Sequence, residues 1–182
     1  MNLAAVVVTE GGNGIVPGFI RRTTDSIWTH AFVVTGEDEL VEAWLPRVRT
    51  VSLSKRLADL DREGRRYVIL DYPFHEPHTR RKVAHKARSY IGRWYDVGEV
   101  LHYLWKGRFR EDSGSALFCS RLVTASYLSG AKINLFPRGL LDHLEHRGHP
   151  RIGNLRDGYA TPADLFDSAL VPHTPPETRM AA

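Results

Sequence analysis

The chain of 182 residues contains one cysteine, and it has no long apolar run and no visible export signal. A single cysteine excludes an internal disulfide and a zinc site built from several thiolates. No apolar stretch is long enough to span a bilayer, and the N-terminus lacks the basic start and apolar core of a signal peptide. We therefore expect a cytoplasmic protein with no transmembrane segment, unless another route delivers it to the cell envelope.

Internal repeats and low-complexity blocks are also absent, and the composition is that of an ordinary globular protein, 42% hydrophobic and 25% charged. The length predicts one domain over residues 1–171, followed by a disordered, proline-containing tail over residues 172–182. The net charge of +4 is mildly basic. Because no aromatic and basic signature of an RNA-binding module accompanies it, we expect no specific nucleic-acid partner. The sequence does not predict the oligomeric state.

The first part of the chain is typical of strands and the second part of helices. Strands are predicted over residues 3–9, 31–35, 40–44, 48–53 and 67–70. Helices are predicted over residues 77–91, 119–128 and 137–146, and from residue 161 onward. The second and third strands flank a tight acidic turn and therefore predict a hairpin. Strands in one block and helices in another predict an α+β domain.

Cys119 stands where a loop meets a predicted helix. A thiol at a helix N-terminus feels the positive end of the helix dipole, which favours the thiolate. The N–H groups of the same first turn can hold an oxyanion. Since a lone cysteine is commonly a small buried hydrophobe, its position alone leaves both interpretations open.

His30 and Glu42 give the cysteine a chemical context. His30 opens one predicted strand, which would hold its imidazole on a rigid element. Glu42 falls on the paired strand between apolar neighbours, where its carboxylate can bond the far ring nitrogen and fix the tautomer. An outward-facing carboxylate on an alternating strand explains its position equally well. The combination predicts Cys119 as nucleophile, His30 as its base and Glu42 as the orienting group.

The other histidines offer weaker candidates. His102 lies beside aromatic residues and is predicted to be a core residue. A metal-assisted hydrolase using His143, His146 and His149 is an alternative, but that segment shows no convergent carboxylate pattern. We therefore expect no metal and no cofactor.

Two strands and the nucleophile segment carry a family resemblance. In NlpC-type papain-like cysteine peptidases, one strand carries the catalytic histidine and another carries the third residue of the triad. These two strands resemble residues 29–35 (THAFVVT) and 40–44 (LVEAW), respectively. Residues 118–123 (FCSRLV) resemble their nucleophile helix. In ordinary members the cysteine precedes the histidine, whereas here the histidine comes first. This order resembles the circularly permuted YiiX-like branch, to which lecithin:retinol acyltransferase-type enzymes are related.

Further segments extend the resemblance over about residues 5–168. Residues 92–96 (GRWYD) and 161–165 (TPADL) are similar to segments of the same branch. Two departures stand out: residues 17–20 (PGFI) replace a Gly-Asp pair that many relatives carry, and Ala31 replaces the usual valine. The resemblance implies a papain-like fold, a small antiparallel sheet or half-barrel packed against the helix that carries the nucleophilic cysteine.

The resemblance also implies an activity. It implies a cysteine hydrolase, amidase-like or peptidase-like, that forms a thioester acyl-enzyme on an amide bond, with cell-wall peptide as one substrate class. Alternatives are an acyltransferase or esterase acting on lipid acyl groups, and a non-catalytic binding or structural module that retains the fold. Many relatives are exported or lipid-anchored, so an envelope substrate would require delivery by another system, such as a phage lysis or injection apparatus.

Three further residues are candidates for the lining of the substrate site. By family analogy Tyr95 lines the site and donates a hydrogen bond near the oxyanion, although a core aromatic is the alternative. Ser120 and Trp28 are further lining candidates. The tryptophans and the phenylalanine beside the nucleophile form either an apolar acyl-binding wall or part of the core. These aromatic residues are Trp28, Trp44, Trp94, Trp105 and Phe118.

Overall fold

The computed structural model describes residues 2–12, 15–72, 76–98, 102, 117–149, 152–156 and 160–170. The predicted tail, residues 172–182, and Trp105 lie outside these ranges, so the predictions made for them stay untested. Among the described residues, no helix combines the length and the apolar character needed to cross a membrane.

Five strands form one antiparallel sheet in the order β4-β3-β2-β1-β5. The strands are β1 (Val6–Glu10), β2 (Trp28–Gly36), β3 (Glu39–Ala43), β4 (Val48–Ser52) and β5 (Tyr67–Leu70). The predicted hairpin is confirmed, since β2 pairs with β3 in a register that sets Phe32 opposite Glu42. All but the last residue of β2 is buried, as its nearly continuous apolar run predicts.

The helices are α1 (Ile15–Thr24), α2 (Leu53–Arg62), α3 (Pro77–Arg88), α4 (Cys119–Ala131), α5 (Arg138–His146), α6 (Ile152–Arg156) and α7 (Pro162–Leu170). Helices α1 and α2 lie between strands, so the predicted division into a strand block and a helix block is too simple. Helix α2 starts directly after β4, because the Ser52 hydroxyl accepts a hydrogen bond from the Lys55 amide and caps its first turn.

Apolar side chains cover both faces of the sheet. Ala31 and Val33 of β2 pack in one layer with α3 and α4, where Leu122 is fully buried. Phe32, between them in sequence, points into the other layer and packs with Leu53 of α2. This alternation follows the two-residue period of a strand. The α+β prediction is therefore confirmed, with a helical layer on each side of the sheet.

Helix α4 is anchored through its C-terminal half to α3 and to the segment before β1. A side chain on Gly130 of α4 would place its Cβ atom 2.9 Å from the Lys82 carbonyl oxygen and 2.9 Å from Lys86 Cβ, so glycine permits the close approach of α3. The Tyr127 hydroxyl donates a buried hydrogen bond to the Ala4 carbonyl next to β1. These contacts fix where the first residue of α4, Cys119, lies relative to the sheet.

Candidate active site

Cys119 is the first residue of α4 and is 4% exposed. Phe118 occupies the N-cap position without a side-chain hydrogen bond to the first turn, and the positive end of the helix dipole lies at the thiol. The next residue, Ser120, is fully buried, and its hydroxyl donates to the Ala160 carbonyl oxygen at 2.6 Å. Ser120 therefore fastens the start of the helix to the segment before α7, with its hydroxyl engaged in that bond.

His30 and Glu42 meet in the buried part of the sheet. Phe32 and Glu42 are cross-strand partners, and His30, two residues before Phe32, lies on the same face. His30 Nε2 lies 3.0 Å from Glu42 Oε2, and the carboxylate is completely buried. Because Nε2 is engaged by the carboxylate, Nδ1 is the ring nitrogen left to exchange a proton with a thiol. Burial alone would lower the pKa of His30, but hydrogen bonds and charges from Cys119 and Glu42 outweigh it and raise that pKa to about 9.

Two arginines bind Glu42, and neither was identified from the sequence. Arg49 donates from two guanidinium nitrogens to Glu42 Oε1, at 2.9 and 2.7 Å. A guanidinium nitrogen of Arg56, which is 11% exposed, lies 3.5 Å from Glu42 Oε2. Burial raises the pKa of Glu42, but His30 and these two arginines outweigh burial and bring the pKa down to about 2. Glu42 is therefore ionised at every ordinary pH.

Trp44 covers this network. The rings of Trp44 and His30 meet edge to face, with centroids 5.1 Å apart and an interplanar angle of 84°. The Arg56 guanidinium lies over the Trp44 ring, 5.0 Å from its centroid. The Arg49 guanidinium lies over the same ring, 5.4 Å from its centroid, so Trp44 contacts the imidazole and both cations that bind Glu42.

A cleft of about 460 Å³ opens beside the imidazole, and we call it the His30 cleft. Much of its lining is apolar, including Pro17, Ile20 and Leu45, and the charged residues Glu63 and Arg65 also line it. A side chain on Gly11 would bring its Cβ atom 2.1 Å from Thr29 Oγ1, so only glycine lets the chain pass this close to the site. Cys119 itself is not among the residues that line the cleft.

Of the predicted lining residues, Tyr95 lines the His30 cleft and Trp28 does not. Tyr95 also forms a β-bridge with Leu117, two residues before Cys119. Burial raises the pKa of the Tyr95 hydroxyl, and the nearby charge of Cys119 adds to the rise. Trp28 is 9% exposed and packs against Phe166 of α7, with ring centroids 4.9 Å apart.

The other aromatic residues do not form one wall. Trp94 is exposed and lies under the Arg47 guanidinium, which is 4.1 Å from its ring centroid. Phe118 is buried. Of the four tryptophans, Trp44 alone is among the described residues that line the His30 cleft.

A second group of titratable side chains lies near the end of the chain. Donor atoms of His149, Asp164 and Asp167 all lie within 4.8 Å of one another. Sequence reasoning grouped His149 with His143 and His146, which are exposed on α5. It missed the cluster because the two carboxylates come from α7, well downstream of the histidine, and only the fold brings them together.

Comparison with known proteins finds a similar fold among solved structures. No protein-family model matches this sequence, and no curated protein does. Among solved structures, the crystal structure of the metalloprotein YiiX from Escherichia coli O157:H7 matches with a TM-score of 0.61 and 16% sequence identity. The match covers 98% of this chain and 96% of that chain. The chain therefore has a YiiX-like α+β fold, as the sequence resemblance predicts.

Proposed function

We propose that this protein is a cysteine hydrolase, amidase-like or peptidase-like, of the circularly permuted papain-like kind. The observation that carries the proposal is the buried series of interactions from Cys119 through His30 to Glu42. A thiol at a helix N-terminus, an imidazole with a raised pKa and an ionised carboxylate are the three groups that activated cysteine nucleophiles use.

In the proposed mechanism His30 Nδ1 takes the proton of the Cys119 thiol, and the thiolate attacks the carbonyl carbon of an amide. N–H groups at the start of α4 hold the developing oxyanion, and the Tyr95 hydroxyl donates to it from the His30 cleft. The C–N bond then breaks, the imidazolium gives its proton to the leaving amine, and a thioester remains. Water, deprotonated by His30, hydrolyses the thioester and releases the free thiol and a carboxylic acid.

The arginines on Glu42 adjust this chemistry. Glu42 bonds the far nitrogen of His30, which fixes the tautomer and stabilises the imidazolium. Arg49 and Arg56 offset part of the negative charge of the Glu42 carboxylate, and because they lower its pKa the group stays ionised in acid. The imidazolium is therefore supported without the carboxylate taking its proton.

The apolar lining of the His30 cleft favours a second candidate, an acyltransferase or esterase acting on lipid acyl groups. The same nucleophile would accept an acyl chain, and an amine or alcohol would replace water in the second step. A third possibility, a binding module that keeps the fold without catalysis, predicts an inert buried thiol.

The structural neighbour is described as a metalloprotein. In this chain the described residues whose donor set fits an ion are His149, Asp164 and Asp167, which combine one imidazole with two carboxylates. An ion there would supply a cross-link between α7 and the turn after α5. The thiol mechanism passes through none of these residues.

Iodoacetamide alkylation of Cys119 as a function of pH tests the proposal. An activated thiol reacts well below its ordinary pKa of about 8.5, and His30→Ala removes that reactivity. His85→Ala, a matched change on the exposed side of α3, leaves it intact. A thiol that stays inert in the folded protein would instead indicate the binding module. Muropeptides assayed against acyl-lipid esters then separate the two catalytic candidates.

A further inference from the structure

The cluster of His149, Asp164 and Asp167 has distances that suit metal ligands better than hydrogen bonds. His149 Nε2 lies 3.4 Å from Asp164 Oδ1 and 3.5 Å from Asp167 Oδ2. An N–H···O hydrogen bond is usually shorter, about 2.7–3.2 Å. Zinc binds nitrogen and oxygen ligands at about 2.0–2.2 Å, and tetrahedral angles then separate two ligand atoms by about 3.3–3.6 Å. Both separations from His149 fall in that range, and all three donor atoms lie within 4.8 Å of one another.

Asp164 is already oriented for this role. The Thr161 backbone N–H and hydroxyl both donate to Asp164 Oδ2, each at 2.7 Å, so the other oxygen, Oδ1, is the one turned toward His149. In metal sites, a hydrogen bond to the ligand atom that faces away from the ion fixes the orientation of that ligand. The same pair caps α7, because the Asp164 N–H donates back to the Thr161 hydroxyl at 3.3 Å.

The burial of the three side chains matches a site with one open side. The side chains of Asp164 and His149 are 0% and 8% exposed, whereas that of Asp167 is 39% exposed. The first two form a solvent-excluded base, and the third lies at the surface, where an ion can enter. Because three protein ligands leave a fourth tetrahedral position, water would complete the coordination.

We propose that His149, Asp164 and Asp167 bind one divalent first-row transition-metal ion, and that zinc fits the site best. Mixed imidazole and carboxylate ligands favour such ions over magnesium or calcium, which prefer oxygen ligands alone. The competing explanation is an ion pair between a protonated His149 and the two carboxylates, which needs no metal.

The site would stiffen the neighbourhood of the proposed nucleophile without taking part in its chemistry. The ion would join the turn after α5 to the first two turns of α7. The segment just before α7 accepts the Ser120 hydrogen bond at Ala160, next to Cys119. Zinc binding is therefore expected to raise thermal stability, and this inference does not depend on the proposed hydrolase activity.

The test titrates chelator-treated full-length protein with zinc against a chromophoric chelator, and counts bound metal by elemental analysis. We expect one ion per chain and a higher melting temperature with zinc. His149→Ala and Asp167→Asn should each lower the affinity at least tenfold and abolish the thermal shift. Because Asp167 is partly exposed, its variant should fold even if the His149 variant does not. His146→Ala and Asp142→Asn, matched changes on exposed positions of α5, should bind like the wild type.

The Cys119→Ala variant distinguishes zinc bound at this site from zinc bound at the proposed triad, because a thiol and an imidazole can also bind metal ions. It should retain the ion and the thermal shift. The proposal is overturned if the folded wild type binds no stoichiometric zinc, if the ion is lost only in Cys119→Ala, or if His146→Ala weakens binding as much as His149→Ala does. An unchanged melting temperature in the presence of zinc would favour the ion pair.

Discussion

Replacing Glu42 by glutamine removes a negative charge from a fully buried position and keeps the shape of the side chain. The charge stabilises the His30 imidazolium, which in turn is expected to stabilise the Cys119 thiolate. Glu42→Gln should therefore make the thiol less reactive in mildly acidic solution, although it alters neither the nucleophile nor its base.

The size of the effect follows from the pKa of His30. A rise from 6.5 to about 9 corresponds to roughly 3 kcal/mol in favour of the imidazolium, at about 1.4 kcal/mol per pKa unit. Cys119 and Glu42 share this contribution, so the loss of Glu42 should lower the His30 pKa by about one unit. The change also leaves Arg56 without its buried anion, which should cost about 3 kcal/mol of folding stability. Arg49 adds less because its side chain is half exposed.

The assay is the rate of Cys119 alkylation by iodoacetamide as a function of pH, with the His30 ring titrated by NMR. The acid limb of the profile should move up by about one pH unit, which makes alkylation near pH 6 roughly tenfold slower. Glu39→Gln is the matched control on the same strand, since Glu39 bonds Thr35 and Arg88 rather than the triad. If folded Glu42→Gln protein keeps the wild-type profile, the assignment of Glu42 as the orienting group is wrong.

Three further predictions concern stability. Gly130→Ala forces its new methyl group against α3 and should lower the free energy of unfolding by about 1–3 kcal/mol. The control is Gly139→Ala in α5, whose methyl group meets nothing within 4 Å and which should leave the melting temperature unchanged or raise it. Ser120→Ala leaves the buried Ala160 carbonyl unsatisfied and should lower the free energy of unfolding by about 1–3 kcal/mol, with the alkylation profile unchanged. The pKa of His30 is higher in the folded state than in the unfolded state. The protonated imidazole therefore stabilises the fold by about 3 kcal/mol below pH 6.5, and this contribution is lost as the pH rises through 9. The free energies of unfolding of wild type and His30→Asn, measured in urea, should converge at alkaline pH. A constant difference between those two proteins across the range would contradict that assignment.

Local patterns were enough to predict the strands and most of the helices that carry the proposed site. The β-branched hairpin and the helix beginning at Cys119 occur where the sequence indicates, because strong periodicity and turn signals agree there. Helix α2 was missed, although Leu53, Leu57 and Leu60 recur at helical spacing along one face. Without α2 in the prediction, nothing in the sequence places Arg56 beside Glu42.

Contacts made by the fold account for the rest. Arg49 is the cross-strand partner of Glu42 and could have been found by extending the hairpin register to β4. Trp28 and Trp44 look alike in the sequence, yet one packs on Phe166 and the other covers His30. His149 meets its carboxylates only because the fold brings the turn after α5 beside α7. Such distant pairings depend on tertiary packing, which a single sequence does not encode in any local pattern.

Intact-protein mass spectrometry would detect the covalent acyl-enzyme that we propose at Cys119. Wild-type protein mixed with the muropeptide and acyl-lipid ester sets should gain the mass of one acyl group, carried by Cys119 and released by hydroxylamine as a thioester is. Cys119→Ala protein should gain none, and His30→Ala protein should acylate far more slowly. Acylation that persists in Cys119→Ala protein, or turnover of either substrate class by that variant at the wild-type rate, would contradict the account.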